Sequence, residues 1–245
     1  MLYPLIAGHD PADPTSCAGS VATLGEASDL KGLRVGIDRS WNGDGCDAAV
    51  VRAVDGVEQC LRALGAELRD IGLPDTRSAV ERWELLAGTE AAVAHANTYP
   101  AQAGSYGPAL SRLIELGRNA SAMDYQRARL DRMALNGALD SVLADIDLLL
   151  APVQPYAAPT LDRMAVLAHD HEANVRLIGF TAPFNLGGQP ALALPGQPTD
   201  DGAPIGVQLI AARGREDVLL RAACAIQRET HWHLARPPIV MKGED

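Results

Sequence analysis

Lysine is the scarcest charged residue of this chain: Lys31 and Lys242 stand against nineteen arginines. A lysine that serves as a catalytic base is one desolvated enough to lose its proton near neutral pH, and arginine cannot replace it. Lys31 lies in a polar loop and Lys242 in a charged tail, so both read as solvated ammonium groups. The residues present therefore assemble no serine–lysine catalyst. Cysteine is also sparse, at positions 17, 46, 60 and 224, with no C-x-x-C pair. That excludes a thiol redox motif or a cysteine-rich metal framework, and a chain of 245 residues needs no disulfide staples. Cys60 and Cys224 sit in helical, apolar contexts and read as small core residues, whereas Cys17 and Cys46 read as loop thiols.

No apolar run approaches the ~20 residues that cross a bilayer, and the first ten residues lack the basic flank of a signal peptide. The expectation is a cytoplasmic protein with no membrane contact. A net charge of −10 repels phosphate and argues against nucleic-acid binding. There is no P-loop and no G-x-G-x-x-G, so no nucleotide cofactor is expected. Histidine clusters twice, in His169-Asp170-His171-Glu172 and His231-Trp232-His233. Their i, i+2 spacing puts two ligands on one face only in a strand, and solvated histidines with no metal are the expectation. Ala103-Gly104-Ser105-Tyr106-Gly107 lacks the first glycine of a nucleophile elbow and follows no predicted strand; its Gly and Ser suit a turn.

What is present patterns as one α/β unit over residues 1–245, a mixed sheet of about five strands covered by helices. Residues 1–30 read as a loop-rich lead and 236–245 as a polar tail, with no linker between. Leu33–Ile37 and Glu67–Ile71 read as strands flanking a helix over 47–64, whose apolar positions Val50, Val54, Val57 and Leu61 recur at helical spacing before Gly65. That unit predicts parallel strands with a right-handed crossover. Helices are expected over 78–97, 108–116 and 121–144, the last opened by Ser121-x-x-Asp124, a cap with Asp in place of the usual Glu. Asp147–Ala151 reads as a buried strand ended by Pro152. Ala191–Leu194 and Ile205–Ile210 read as a hairpin, and 214–229 as an amphipathic helix. One segment, Phe180 to Pro190, carries both phenylalanines, a glycine pair and two prolines ahead of a strand. Paired glycines suit close approach to a ligand, and equally a tight connection packed on the core.

Four collinear stretches resemble one family. Ile6-Ala7-Gly8-His9-Asp10-Pro11 through Ser16, Leu30-Lys31-Gly32-Leu33-Arg34-Val35-Gly36, Asp147-Leu148-Leu149-Leu150-Ala151-Pro152, and Phe184-Asn185-Leu186-Gly187-Gly188-Gln189-Pro190 through Ile210 are similar to the C-terminal half of amidase-signature enzymes. The resemblance implies carboxamide hydrolysis by a Ser–cis-Ser–Lys triad on a Gly/Ser-rich segment that would precede residue 1. No catalytic residue then falls on this chain, and inactivity alone is expected. What carries over is a substrate wall: Tyr125 and Arg132 on the long helix, Ile178 and Thr181 ahead of the turn, and Phe184, Asn185 and Gly188 within it. Amidotransferase subunits of the family place an acidic residue where Ile178 stands, so the resemblance implies a neutral aryl or alkyl amide as substrate. The implied partners are that small amide, a complementary N-terminal half, and a second copy of the chain through unpaired sheet edges. Two rival readings are a binding or scaffold module that keeps the pocket without catalysis, and a hydrolase using Cys17 or the His169–Glu172 cluster.

Overall fold

A computed structural model describes residues 2–16, 21, 29–167 and 170–236. One helical turn, α1 (Tyr3–Ile6), precedes β1 (Arg34–Ile37), α2 (Arg39–Gly43), α3 (Ala48–Ala63) and β2 (Glu67–Asp70). The apolar stripe of α3 buries Val50, Val54, Val57 and Leu61, and Gly65 then turns the chain with φ +89°. The helical middle follows as α4 (Arg77–Glu81), α5 (Trp83–Ala94), α6 (Pro108–Arg118) and the long α7 (Ala122–Ala144). Proline opens α6 at its first turn, where its missing N–H costs nothing. Ser121 caps α7 by accepting from the Asp124 backbone N–H. Then come β3 (Leu148–Pro152), α8 (Leu161–Leu167), α9 (His171–Ile178), α10 (Ala182–Gly187), the hairpin β4 (Ala191–Pro195) and β5 (Gly206–Ile210), and α11 (Glu216–Glu229).

The strands form a mixed sheet in the order β2-β1-β3-β5-β4. β1 runs parallel to both β2 and β3, and β5 runs antiparallel to β3 and β4. Alternation on the central strands divides the core between two faces. Val35, Ile37, Leu148, Leu150, Val207 and Leu209 pack under α3 and α11. Leu149, Ala151 and Ile210 pack with Leu135, Leu139, Leu143 and Phe184 from α7 and α10. Burying each such leucine fully is worth about 2 kcal/mol. The Arg34 guanidinium and backbone N–H both donate to Asp147, clamping the entry of β1 to that of β3. Those bonds hold the Asp147 carboxyl below the ordinary carboxylate range. One sheet edge is guarded by the exposed charges of Glu67 and Asp70; the other, β4, is apolar, with Ala191 and Ala193 exposed.

Several expectations need correction. Residues 78–97 are not one helix: the chain breaks at Arg82 between α4 and α5, and the break lets Ala79 and Leu86 both reach the core beside α7. Pro152 does not end its strand but closes it, opposite Val207. The reason is that β1 pairs only as far as Leu149, so no neighbour asks for the N–H that Pro152 lacks. Asp147 lies just before β3, occupied by Arg34, and Ile71 just after β2. Cys60 and Cys224 are half-buried rather than fully buried, with Cys60 packed against the edge of the core. Cys17, His169 and residues 237–245 lie outside the described residues. No helix among the described residues is long and apolar enough to cross a membrane.

Candidate functional site

The segment from α9 to β4 is built as a bracket on the sheet. Asp170 caps α9 by accepting from the Ala173 N–H, and Thr181 turns the chain into α10 while its hydroxyl and N–H bond back to the Ile178 carbonyl. α10 ends at Gly188, whose φ of +71° puts it in the left-handed region that suits glycine at this position. The last carbonyls of a helix have no partner within it. Here they are taken by two arginines from elsewhere: Arg132 Nε donates to Leu186 O at 2.7 Å, and Arg213 Nη1 to Gly187 O at 2.7 Å. Cations at a helix C-terminus also complement its dipole. Asp140 of α7 pairs with Arg213 and keeps the clamp in place.

The other end of the bracket hangs from Gln208. This residue is only 3% exposed, and its Nε2 donates to the carbonyls of Pro152 (2.8 Å) and Phe180 (2.7 Å). One side chain thus ties β5 to β3 and to the turn before α10. Trp41 closes the bracket edge-on against both phenylalanines, with ring centroids 4.8 Å from Phe180 and 6.1 Å from Phe184. Gln208→Leu keeps the volume but leaves two buried carbonyls short of a donor. It is expected to lower the unfolding free energy by about 2 kcal/mol in urea, with amide hydrogen exchange rising first over residues 175–185.

A cleft of about 540 Å³ opens between this bracket, α4 and the loop after α2. Val175, Arg176, Gly179 and Phe180 line it from the bracket, Arg77, Val80 and Glu81 from α4, and Trp41 from α2. Glu84 supports the start of α9 by accepting from Arg112 at 2.9 Å and from Asn174, with His171 Nδ1 at 3.6 Å. The bonds from Arg112 hold its carboxyl below the ordinary range. The residues named from sequence fall around this cleft differently. Tyr125 and Phe184 share one apolar cluster, Phe184 buried within it and Tyr125 half-buried against it, and Arg132 reaches α10 beside them. Ile178 and Thr181 are half-buried in the turn, while Asn185 and Gly188 are exposed. None of the seven lines the cleft, although their neighbours Gly179 and Phe180 do. Trp41, Arg77 and Glu81 carry no local signal in sequence; only the packing of α2 and α4 against α9 assembles them.

For catalysis the described residues offer little. Lys31 has an 80% exposed side chain, 3.9 Å from Asp29. Ser105 sits exposed in a 3-10 turn. Burial pushes the Cys46 thiol up to about 11, which keeps it protonated and a poor nucleophile near neutral pH. No group of three or more metal-ligating side chains occurs among the described residues.

Comparison with known proteins gives these features a setting. The Amidase family model matches residues 1–220. Over 240 residues the chain is 36% identical to AmiD of Mycobacterium tuberculosis, which is named as a provisional amidase, covering 98% of this chain and 50% of that protein. It is 33% identical to a glutamyl-tRNA(Gln) amidotransferase subunit from Chloroflexus aurantiacus, covering 98% of this chain and 54% of that one. Among solved structures, 6-aminohexanoate cyclic dimer hydrolase superposes with a TM-score of 0.81 at 23% identity, over 95% of this chain and 53% of its own. A bacterial aryl acylamidase superposes at 0.74 and 19% identity, over 94% and 51%. At those identities the likeness speaks for the fold. The chain spans about half the length of the curated relatives it matches. On the family match and the shared sequence together, this chain belongs to the amidase-signature family.

Proposed function

We propose that the chain forms the substrate-wall half of an amide-hydrolysing enzyme, and that it acts only when joined to a half carrying the Gly/Ser-rich catalytic segment. The observation that carries this reading is a match to the amidase model over residues 1–220 in a chain whose one described lysine is exposed. The joined site would attack an amide carbonyl through a serine of the other half, break the C–N bond to release ammonia or an amine, and yield the carboxylate after water enters.

Two faces support such joining. On α7, Met123, Leu130 and Met133 are 53–63% exposed, and on the sheet edge Ala191 and Ala193 of β4 are uncovered. Apolar surface left on a long helix and on an unpaired edge strand favours a further layer of protein. Tyr125, Arg132, Ile178 and Thr181 would face the substrate from this side. Ile178, with no charge to meet an ammonium group, favours a neutral aryl or alkyl amide. The experiment is size-exclusion chromatography of the chain mixed with a separately purified family half bearing the Gly/Ser-rich segment. Equimolar co-elution is the expected result. Two folded halves that elute apart at micromolar concentration would remove the proposal.

A further inference from the structure

We propose that the cleft is a preformed site for a neutral carboxamide, in which Trp41 and Thr76 supply the polar contacts. Its lining divides by burial. Thr76, Val80 and Phe180 are only 7%, 3% and 5% exposed and form the floor, with Trp41 half-buried beside them. Asp44, Arg77, Glu81, His171, Glu172 and Arg176 are exposed and form the rim. The floor carries two polar groups that the fold leaves open. Thr76 stands just before α4, yet its side chain makes no capping bond, and its hydroxyl has no other partner among the described residues. The Trp41 indole N–H likewise has no acceptor among them. Neither group is sealed from outside, so a ligand can reach both. A polar group left open in a residue more than nine-tenths buried points to something that bonds it.

Asp38 holds the two groups in place. Its carboxylate accepts from the backbone N–H of Trp41 at 2.9 Å and of Leu73 at 2.8 Å, which joins the turn after β1 to the loop leading from β2 to Thr76. Phe180 hangs from Gln208 and meets the Trp41 ring edge-on. Walls pinned in advance lose little freedom when a ligand enters. A hydroxyl donates and accepts, whereas an indole N–H only donates. A carboxamide answers both, with a carbonyl oxygen and N–H groups, and its aryl or alkyl body suits Val80, Val175 and Phe180. The floor carries no charge, so an ion settling on it would give up hydration without a partner. At the rim Arg77 pairs with Glu81, His171 lies against Glu84, and Arg176 donates to the Gly45 carbonyl. Asp44 and Glu172 form no ion pair among the described residues and oppose a carboxylate. The cleft therefore favours an amide over the acid that hydrolysis of the amide would leave. Its volume of about 540 Å³ lies within the range of small-molecule sites.

The choice of an amide rests on the function proposed above, but the test reads binding to the full chain with no second half added. Calorimetric titration with benzamide is expected to saturate, and benzoate and benzylammonium to bind more weakly. Thr76→Val keeps the volume and is expected to weaken benzamide about fivefold, the worth of one neutral hydrogen bond. Thr76→Ser, which keeps the hydroxyl, should bind benzamide as the parent chain does. Trp41→Phe, which removes the N–H and keeps an aromatic ring against Phe180, should weaken it comparably to Thr76→Val. Absence of saturable benzamide binding, equal or tighter binding of either ion, unchanged affinity in Thr76→Val and Trp41→Phe, or the same loss in Thr76→Ser as in Thr76→Val would each overturn the assignment. Two halves that co-elute while benzamide fails to bind would strike the assignment and leave the proposed function standing; benzamide binding to a chain that joins no second half would do the reverse.

Discussion

Purified alone, the chain is expected to release ammonia from simple aryl and alkyl amides no faster than buffer, with or without a serine-directed inhibitor. Mixed with a half that carries the Gly/Ser-rich segment, the same assay should rise by about 10⁶-fold or more, the lower range of enzymatic accelerations. The argument rests on inventory and placement together. A serine–lysine mechanism needs a desolvated lysine within hydrogen-bond reach of a serine. Lys31 is 80% exposed, and its ammonium pairs with Asp29 and with no serine hydroxyl among the described residues. Nineteen arginines supply charge but no base. On the proposed reading, in which the other half supplies the working lysine, Lys31→Ala should leave the joined activity unchanged. Hydrolysis by the chain alone, abolished by the inhibitor, would mean that a site outside the described residues does the chemistry.

Much of the scaffold could be read from the order of residues because the signals are local. The 3/4 spacing of Val50, Val54, Val57 and Leu61 gives α3, and two apolar runs around a Gly/Pro/Asp loop give the β4–β5 hairpin. The clamp on α10 is another matter. Arg132 stands 54 residues from the carbonyl it caps and Gln208 stands 28 from Phe180 O, so nothing near either residue announces its partner. The cleft is assembled the same way, from residues of α2, α4 and α9 that lie far apart in the sequence. Local cues also misled where packing overrode them. Arg82 has ordinary helix propensity, yet the helix breaks there so that both Ala79 and Leu86 are buried. The Phe180–Pro190 stretch was legible as unusual; that its glycine closes a helix held by two arginines was not.

Gly117→Ala is expected to destabilise the chain by about 3 kcal/mol, the upper end for overpacking, because the atoms in the way are backbone. α5 and α6 meet at Gly88 and Gly117, and a Cβ on Gly117 would stand 1.9 Å from the Gly88 carbonyl oxygen and 2.5 Å from the Thr89 nitrogen. No rotamer change relieves such a clash; the helices must separate. Separation would loosen the fully buried Ile114 and stretch the Arg112–Glu84 pair that joins α6 to α5. Glu84 also holds His171 and Asn174 at the start of α9, so the disturbance reaches the wall of the cleft. The sign of the effect is what makes the measurement decisive. In a helix free of such contact, replacing glycine by alanine stabilises by about 1 kcal/mol. A urea midpoint that rises in Gly117→Ala would show that the two helices do not cross in contact at these glycines. A fall, with faster hydrogen exchange in α9 as well as in α5 and α6, would tie this glycine crossing to the geometry of the cleft wall.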